Sequence, residues 1–182
     1  TFTIDGGSTY PFRGKGIRLA TLDEALEACP EQRFNVDLKS KNPAIVEAFN
    51  RTVMRHQAED RVLCASFRLK NLHLMRAMNR RILTSLTTWE VLPLLMRQKM
   101  RLLPRSLNLG RTAVFQVPVS QWGIQVITDS FIESFHRLGA IIQVWTINDE
   151  QQMRSLFSMG VDTIMTDDPA TVIRVAEELK LR

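Results

Sequence analysis

The stretch Asn35-Val-Asp-Leu-Lys39 is where residue type and spacing first suggest chemistry. Side chains alternate along a β-strand, so Asn35, Asp37 and Lys39 share one face while Val36 and Leu38 take the other. An Asp and a Lys two apart at a strand end offer a hard oxygen ligand for Mg²⁺ or Ca²⁺ and a cation for a phosphate oxygen. The same spacing describes equally well an ion pair buried inside a sheet. A second strand-end group is Trp145, which alternation puts on one face with Ile147, opposite Val144 and Thr146, with Asn148 just past the end. Its ring reads either as core packing or as an apolar wall against a ligand, and Phe67, directly after Ser66, reads the same two ways.

His56, His73 and His136 all fall on predicted helices and away from strand ends. Acid–base catalysis near neutral pH draws on histidine most readily, so no residue of this chain is assigned a catalytic role. No phosphate-binding Gly-rich loop with Lys-Ser/Thr, no Gly-x-Ser-x-Gly turn and no His-Glu-x-x-His helix is present. Cys29 and Cys64 lack the spacing of a disulfide framework or metal knuckle, and both read as packing residues.

The elements that must position these groups alternate regularly. Helical patterns cover Thr21 to Ala28, Asn42-Pro43 to about Gln57, Lys70 to Arg80, Thr88 to Leu103, Ser130 to Leu138, Asp149 to Met159 and Pro169 to Leu179. Short apolar, β-branched runs lie between them: Phe34 to Lys39, Arg61 to Phe67, a weak Ile82 to Leu86, Thr112 to Val119, Ile141 to Ile147 and Val161 to Thr166. Such alternation is the signature of β-α units and a parallel sheet. Thr21-Leu-Asp-Glu24 predicts a capping box, and Gly139 and Gly160 predict helix ends. Polar residues recur at the C-terminal ends of several strands (Asp37 and Lys39, Ser66, Asn148, Thr166 and Asp167), as in a parallel β/α barrel. An open doubly wound sheet would gather them at one crevice. A complete barrel has eight strands in about 250 residues, so six predicted strands suggest a TIM-type barrel lacking its first strands. Removing those strands leaves apolar edges that invite self-association.

The chain of 182 residues, 45% hydrophobic, is expected to form a single domain over 1–182, with a loop over 1–20 and repeated β-α units over 21–182. No run approaches the ~18 apolar residues of a spanning helix, and the start at Thr1 has neither an initiator Met nor a signal peptide's pattern, which suits an internal segment. The net charge of +5 is spread over several segments, the densest being Arg76 to Arg81 and Arg97 to Arg101. Without interleaved aromatics these read as solvated helix faces, with no nucleic-acid partner.

Gly14-Lys-Gly-Ile-Arg-Leu-Ala-Thr-Leu-Asp-Glu-Ala-Leu26, Phe34-Asn-Val-Asp-Leu-Lys39, Arg61-Val-Leu-Cys-Ala-Ser-Phe67, Val144-Trp-Thr-Ile-Asn148 and Gly160-Val-Asp-Thr-Ile-Met-Thr-Asp167, in that order, resemble the glycerophosphodiester phosphodiesterase family. The resemblance implies a β/α barrel that hydrolyses glycerophosphodiesters to glycerol 3-phosphate and an alcohol, in lipid and glycerol metabolism, with a divalent metal (Mg²⁺ or Ca²⁺) and two histidines. It puts Asp37 at a metal-binding position commonly held by Glu, Lys39 at the lysine that follows, and Phe67 and Trp145 in the substrate pocket. The family's His-Arg-Gly strand, its Glu-x-Asp metal pair and its second His have no counterpart here, since Arg13-Gly14 follows Phe12.

The first reading is therefore an enzyme segment that turns over little by itself, and the alternative is a non-catalytic binding or interaction module derived from the barrel. A third concerns Trp89 to Leu103, whose apolar bulk and basic residues fit either barrel packing or peripheral membrane contact. A cytoplasmic or membrane-peripheral location is the expectation.

Overall fold

The computed structural model describes residues 14–107, 109 and 113–181. The segment beginning at Thr1, including Phe12 and Arg13, and the expected strand start at Thr112 lie outside the described residues. In chain order the first elements are α1 (Leu22–Ala28), β1 (Phe34–Asp37), α2 (Ala44–Arg55), β2 (Val62–Ala65), α3 (Leu69–Met78), β3 (Leu83–Thr84) and α4 (Thr88–Lys99). There follow β4 (Val114–Val117), β5 (Ser120–Gln121), β6 (Ile124–Gln125), α5 (Asp129–His136), β7 (Ile141–Val144), α6 (Glu150–Met159), β8 (Thr163–Ile164) and α7 (Pro169–Glu178).

Local chemistry sets the boundaries. The Thr21 hydroxyl accepts from the Glu24 amide at 3.2 Å while the Glu24 carboxylate accepts from the Thr21 amide at 2.8 Å, completing the expected capping box of α1. Pro43 is the N-cap of α2 instead of its first helical residue, and the Asn42 side chain takes the Ala44 amide at 3.1 Å. Gly160 closes α6 at φ 98°, a left-handed conformation that glycine adopts without a Cβ penalty.

The six longer-range strands are all parallel. Sheet β1-β2-β3 and sheet β4-β7-β8 meet at one bridge, Ser85 to Val114, supported by the Leu86 amide donating to the Val114 carbonyl at 2.8 Å. The strands thus follow one arc in the order β1-β2-β3-β4-β7-β8, with helices packed outside it. Among the described residues no ladder joins β8 back to β1, so the arc is open. Two apolar clusters lie between strands and helices. One, around Val46, Phe49, Leu72 and Met75, serves β1 to β3, and the other, around Phe115, Phe131, Phe135 and Met153, serves β4, β7 and β8.

A half-buried ion pair clasps the junction. Arg76 reaches from α3 to Glu90 of α4 at 2.5 Å, donating also to the Thr84 hydroxyl at 2.9 Å and the Ser85 carbonyl at 2.9 Å. With side chains 21% and 23% exposed, this Arg is not the solvated surface charge the sequence suggests. Glu90 is at the same time the capping residue of α4, accepting from the Thr87 amide at 2.9 Å. Burial pushes the Glu90 pKa up, but the bonds from Arg76 and Thr87 outweigh it and hold the carboxyl below its ordinary value.

Other expectations are revised as well. Cys29 is exposed and does not pack, whereas Cys64 is buried, and burial pushes its thiol up to about 12. The strands are shorter than their apolar runs, and the antiparallel hairpin β5-β6 is an element the hydrophobic pattern does not announce. No helix of the described residues is long and apolar enough to cross a membrane.

Two outcomes follow for stability. Phe135, fully buried with ring centroids 4.4 Å from Phe115 and 4.6 Å from Phe131, is expected to cost about 3–5 kcal/mol when replaced by Ala, measured by denaturant unfolding. Arg76→Met is expected to cost ~2 kcal/mol at pH 7, because it strands the Glu90 carboxylate. Since the folded Glu90 pKa lies below the usual 4.5, the clasp stabilises fully above that pH and is lost as pH falls through the lowered value. The gap between wild type and Arg76→Met is accordingly expected to close in acid.

Candidate active site

The C-terminal end of β1 is fixed before any ligand arrives. Three side chains from the β2–α3 region serve the carbonyls of the loop after β1. The Ser66 hydroxyl donates to the Leu38 carbonyl at 2.7 Å, Asn71 donates to the Leu38 and Ser40 carbonyls at 3.3 and 3.1 Å, and Arg68 Nε donates to the Lys39 carbonyl at 3.3 Å. Ser66 and Asn71 are both buried. The expected strand-end polar residue Ser66 is thus committed to building the loop. Leu38 is buried beneath it, so alternation turns Asp37 and Lys39 outward together.

These two side chains open onto a mouth of about 370 Å³ lined also by Asn35, Phe67, Gln116, Trp145, Thr146 and Met165. Lys39 Nζ lies 4.0 Å from Asp37 Oδ2, with side chains 82% and 31% exposed, so the pair is not the buried ion pair that spacing alone allowed. Desolvation raises the Asp37 pKa above the usual aspartate range, and the nearby Lys39 charge only partly opposes it.

The opposite wall comes from the other sheet. Trp145 stands edge-on to Phe67, ring centroids 6.1 Å apart at 88°, joining the ends of β2 and β7 across the mouth. Trp145 and Ile147 do not share one environment as alternation implied. Ile147 is buried in the core, and Trp145 is half-exposed in the mouth.

Gln116 of β4, which the sequence reading left out, donates to Asn35 Oδ1 at 3.0 Å and to Gln143 Oε1 at 2.9 Å, spanning the interior of the arc. Nothing local marks such a residue, because its partner in β1 is 81 positions away. Of the other strand-end polar residues, Asn148, Thr166 and Asp167 bond to one another at 2.9–3.0 Å.

No histidine lines the mouth. His56 pairs with Asp23 at 2.9 Å, His136 pairs with Asp162 at 2.8 Å, and His73 is exposed on α3. Asp37 is the one carboxylate among the described residues that line it, and no three His, Cys, Asp or Glu side chains among the described residues come together. A hard divalent cation takes about six or more oxygen ligands, several of them anionic. The described residues alone therefore do not make up a metal cage.

The family model described as the glycerophosphoryl diester phosphodiesterase family matches residues 2–171. The chain belongs to this family. It is 29% identical over 156 residues to the protein named probable glycerophosphodiester phosphodiesterase 2 of Mycobacterium tuberculosis, covering 85% of this chain and 58% of that protein. To a glycerophosphodiester phosphodiesterase of Bacillus altitudinis it is 25% identical over 174 residues, 90% of this chain and 65% of the relative. The chain thus spans roughly three-fifths of the length of these two relatives. Among solved structures, a glycerophosphoryl diester phosphodiesterase domain from Mycobacterium tuberculosis superposes with TM-score 0.76 at 13% identity, covering 97% of this chain and 70% of its own. An Oleispira antarctica phosphodiesterase in complex with the product sn-glycerol-3-phosphate superposes at 0.64 with 18% identity, covering 86% and 60%. These likenesses confirm the parallel β/α barrel class, of which the described strands form an open arc.

Three outcomes probe this geometry. A carbon-detected carboxyl titration is expected to place Asp37 above the ordinary aspartate range, and higher again in Lys39→Gln, because the opposing charge is gone. An Asp pKa raised in the folded state costs stability once the pH exceeds it, so Asp37→Asn is expected to leave the fold at least as stable at pH 7. Asn71→Ala, which strips donors from buried carbonyls, is expected to cost about 1–3 kcal/mol and to disorder the Lys39 side of the mouth in amide exchange.

Proposed function

We propose that this chain contributes the substrate-binding side of a glycerophosphodiester phosphodiesterase site, acting on phosphodiesters of lipid and glycerol metabolism. In this reading Lys39 draws in the phosphodiester anion, Phe67 and Trp145 wall the glycerol or alcohol portion, and Asp37 is one oxygen ligand to Mg²⁺ or Ca²⁺, the others coming from outside the described residues. The observation that carries it is the shared mouth: a cation and a carboxylate from one sheet facing an aromatic from the other. Membership of the family and the neighbour bound to sn-glycerol 3-phosphate support the choice of ligand. Because no histidine lines the mouth, the described residues bind without an acid–base pair to cleave the P–O bond.

A second reading, a binding module without turnover, draws on the same observation. The two are separated by release of glycerol 3-phosphate from glycerophosphocholine once the remaining family elements are joined to this chain: turnover favours the enzyme, and its absence with ligand still bound favours the module. The chain by itself is expected to bind sn-glycerol 3-phosphate and to release none from glycerophosphocholine with either metal. Lys39→Ala is expected to weaken that binding at least tenfold, since a charge-assisted hydrogen bond is worth about 1.5–3 kcal/mol. Robust turnover by the chain itself, or binding indifferent to Lys39, would contradict the assignment.

A further inference from the structure

Beside the polar mouth lies a second cavity of about 180 Å³, and the two share Phe67, Thr88, Gln116 and Trp145 as a common wall. Its remaining lining is almost wholly apolar, with Leu92 and Leu95 of α4, Val117 and Val126 behind, and Trp122 and Ile124 of the β5-β6 hairpin over the top. Val117, Val126 and Leu95 are buried, which gives the chamber a closed floor.

The hairpin is held in place over this space. Lys99 of α4 donates to the Gln125 carbonyl at 3.2 Å, and the Val126 and Ile127 amides both donate to the Val119 carbonyl at 2.9 and 3.1 Å. At its tip Trp122 has φ 52° and Gly123 has φ 73°. A two-residue turn of this hand favours Asn or Asp at the first position, and a bulky aromatic there is uncommon. The indole at the tip is 72% exposed while it lines the chamber's rim. Local preference and solvent both disfavour a Trp at that position, so its presence calls for a use.

We infer that the apolar chamber under the β5-β6 hairpin takes the alkyl or acyl chain of an amphiphilic phosphodiester, whose phosphate lies in the adjoining mouth at Lys39. The substrate class is then of lysophospholipid type, and small deacylated glycerophosphodiesters leave the chamber empty. The inference rests on the reading of the mouth as a phosphodiester site. Two features commit it to this occupant: the cavities adjoin along four shared side chains, and the cation sits at one end with a mostly apolar space at the other. Each methylene that enters such a space is worth about fourfold in affinity.

The test compares 1-octanoyl-lysophosphatidylcholine below its micelle threshold with glycerophosphocholine, which differs only in lacking the chain. The readout is the three indole N–H resonances of Trp89, Trp122 and Trp145 during titration of the full chain. The expected result is that both ligands move Trp145, that only the octanoyl ligand also moves Trp122, and that it binds at least tenfold more tightly. Leu92→Trp, which fills the chamber from a half-buried position, is expected to remove that advantage and leave glycerophosphocholine unaffected. Ile124→Gln in β6, beside the hairpin tip, is expected to reduce it severalfold in a protein whose circular dichroism is unchanged. Equal affinities for the two ligands would overturn the chamber and leave the phosphodiester mouth standing. Retention of the advantage in both variants would put the chain elsewhere and overturn it too. So would movement of Trp89 and Trp122 by anionic vesicles alone, with the monomeric ligand silent at Trp145, which would make this face a membrane contact. Failure of both ligands to bind would bring down the inference together with the reading beneath it.

Discussion

The pair formed by Arg76 and Glu90 ties α3 and the end of β3 to α4 at the seam between the two sheets that the site spans. Two three-stranded sheets meet at a single bridge, and a bridge of that size does not fix the angle between them. The guanidinium fork adds to it by binding the Thr84 hydroxyl, the Ser85 carbonyl and the capping carboxylate of the helix that leads to the other sheet, alongside the Leu86–Val114, Gln116–Asn35 and Phe67–Trp145 contacts across the same seam. A half-buried charge pair with its hydrogen-bonding positions filled resists rearrangement more than it adds net stability, since loss of either partner leaves the other stranded. The mouth draws Asp37, Lys39 and Phe67 from one side of this seam and Gln116, Trp145 and Met165 from the other.

At the mouth the same logic operates on a smaller scale. Ser66, Arg68 and Asn71 use their donors on the carbonyls of residues 38–40, so the loop that carries Lys39 is held by buried polar contacts without any ligand. Asp37 remains partly desolvated, and the nearby Lys39 charge only partly offsets the resulting rise in its pKa.

How much of this was legible depends on the range of the interaction. The alternating helical and β-branched runs, the Thr21–Glu24 capping box and the glycine that ends α6 are local, and each was readable because its partners lie within one turn. The placement of Asn35, Asp37 and Lys39 on one face follows from the pleat alone. Arg76 read as surface charge because its partner is 14 residues on, in the next helix, and Gln116 read as nothing because Asn35 is in another sheet. The hairpin is hidden by a Trp-Gly turn where Asn-Gly would announce it, and the shared face read for Trp145 and Ile147 fails because Ile147 is buried in the core while Trp145 opens onto the mouth. The family motifs Asp-Leu-Lys and Trp-Thr-Ile-Asn made up for part of this loss, bringing together residues that periodicity could not relate.

The most direct test of the central claim is a set of intermolecular nuclear Overhauser contacts between sn-glycerol 3-phosphate and the aromatic rings of the mouth. If one ligand is gripped across the seam, its glycerol protons will show contacts to both Phe67 and Trp145, and both sets will vanish together in Lys39→Ala. Contacts confined to one ring, or a pattern that survives loss of the lysine, would mean that the two sheets do not form a common site.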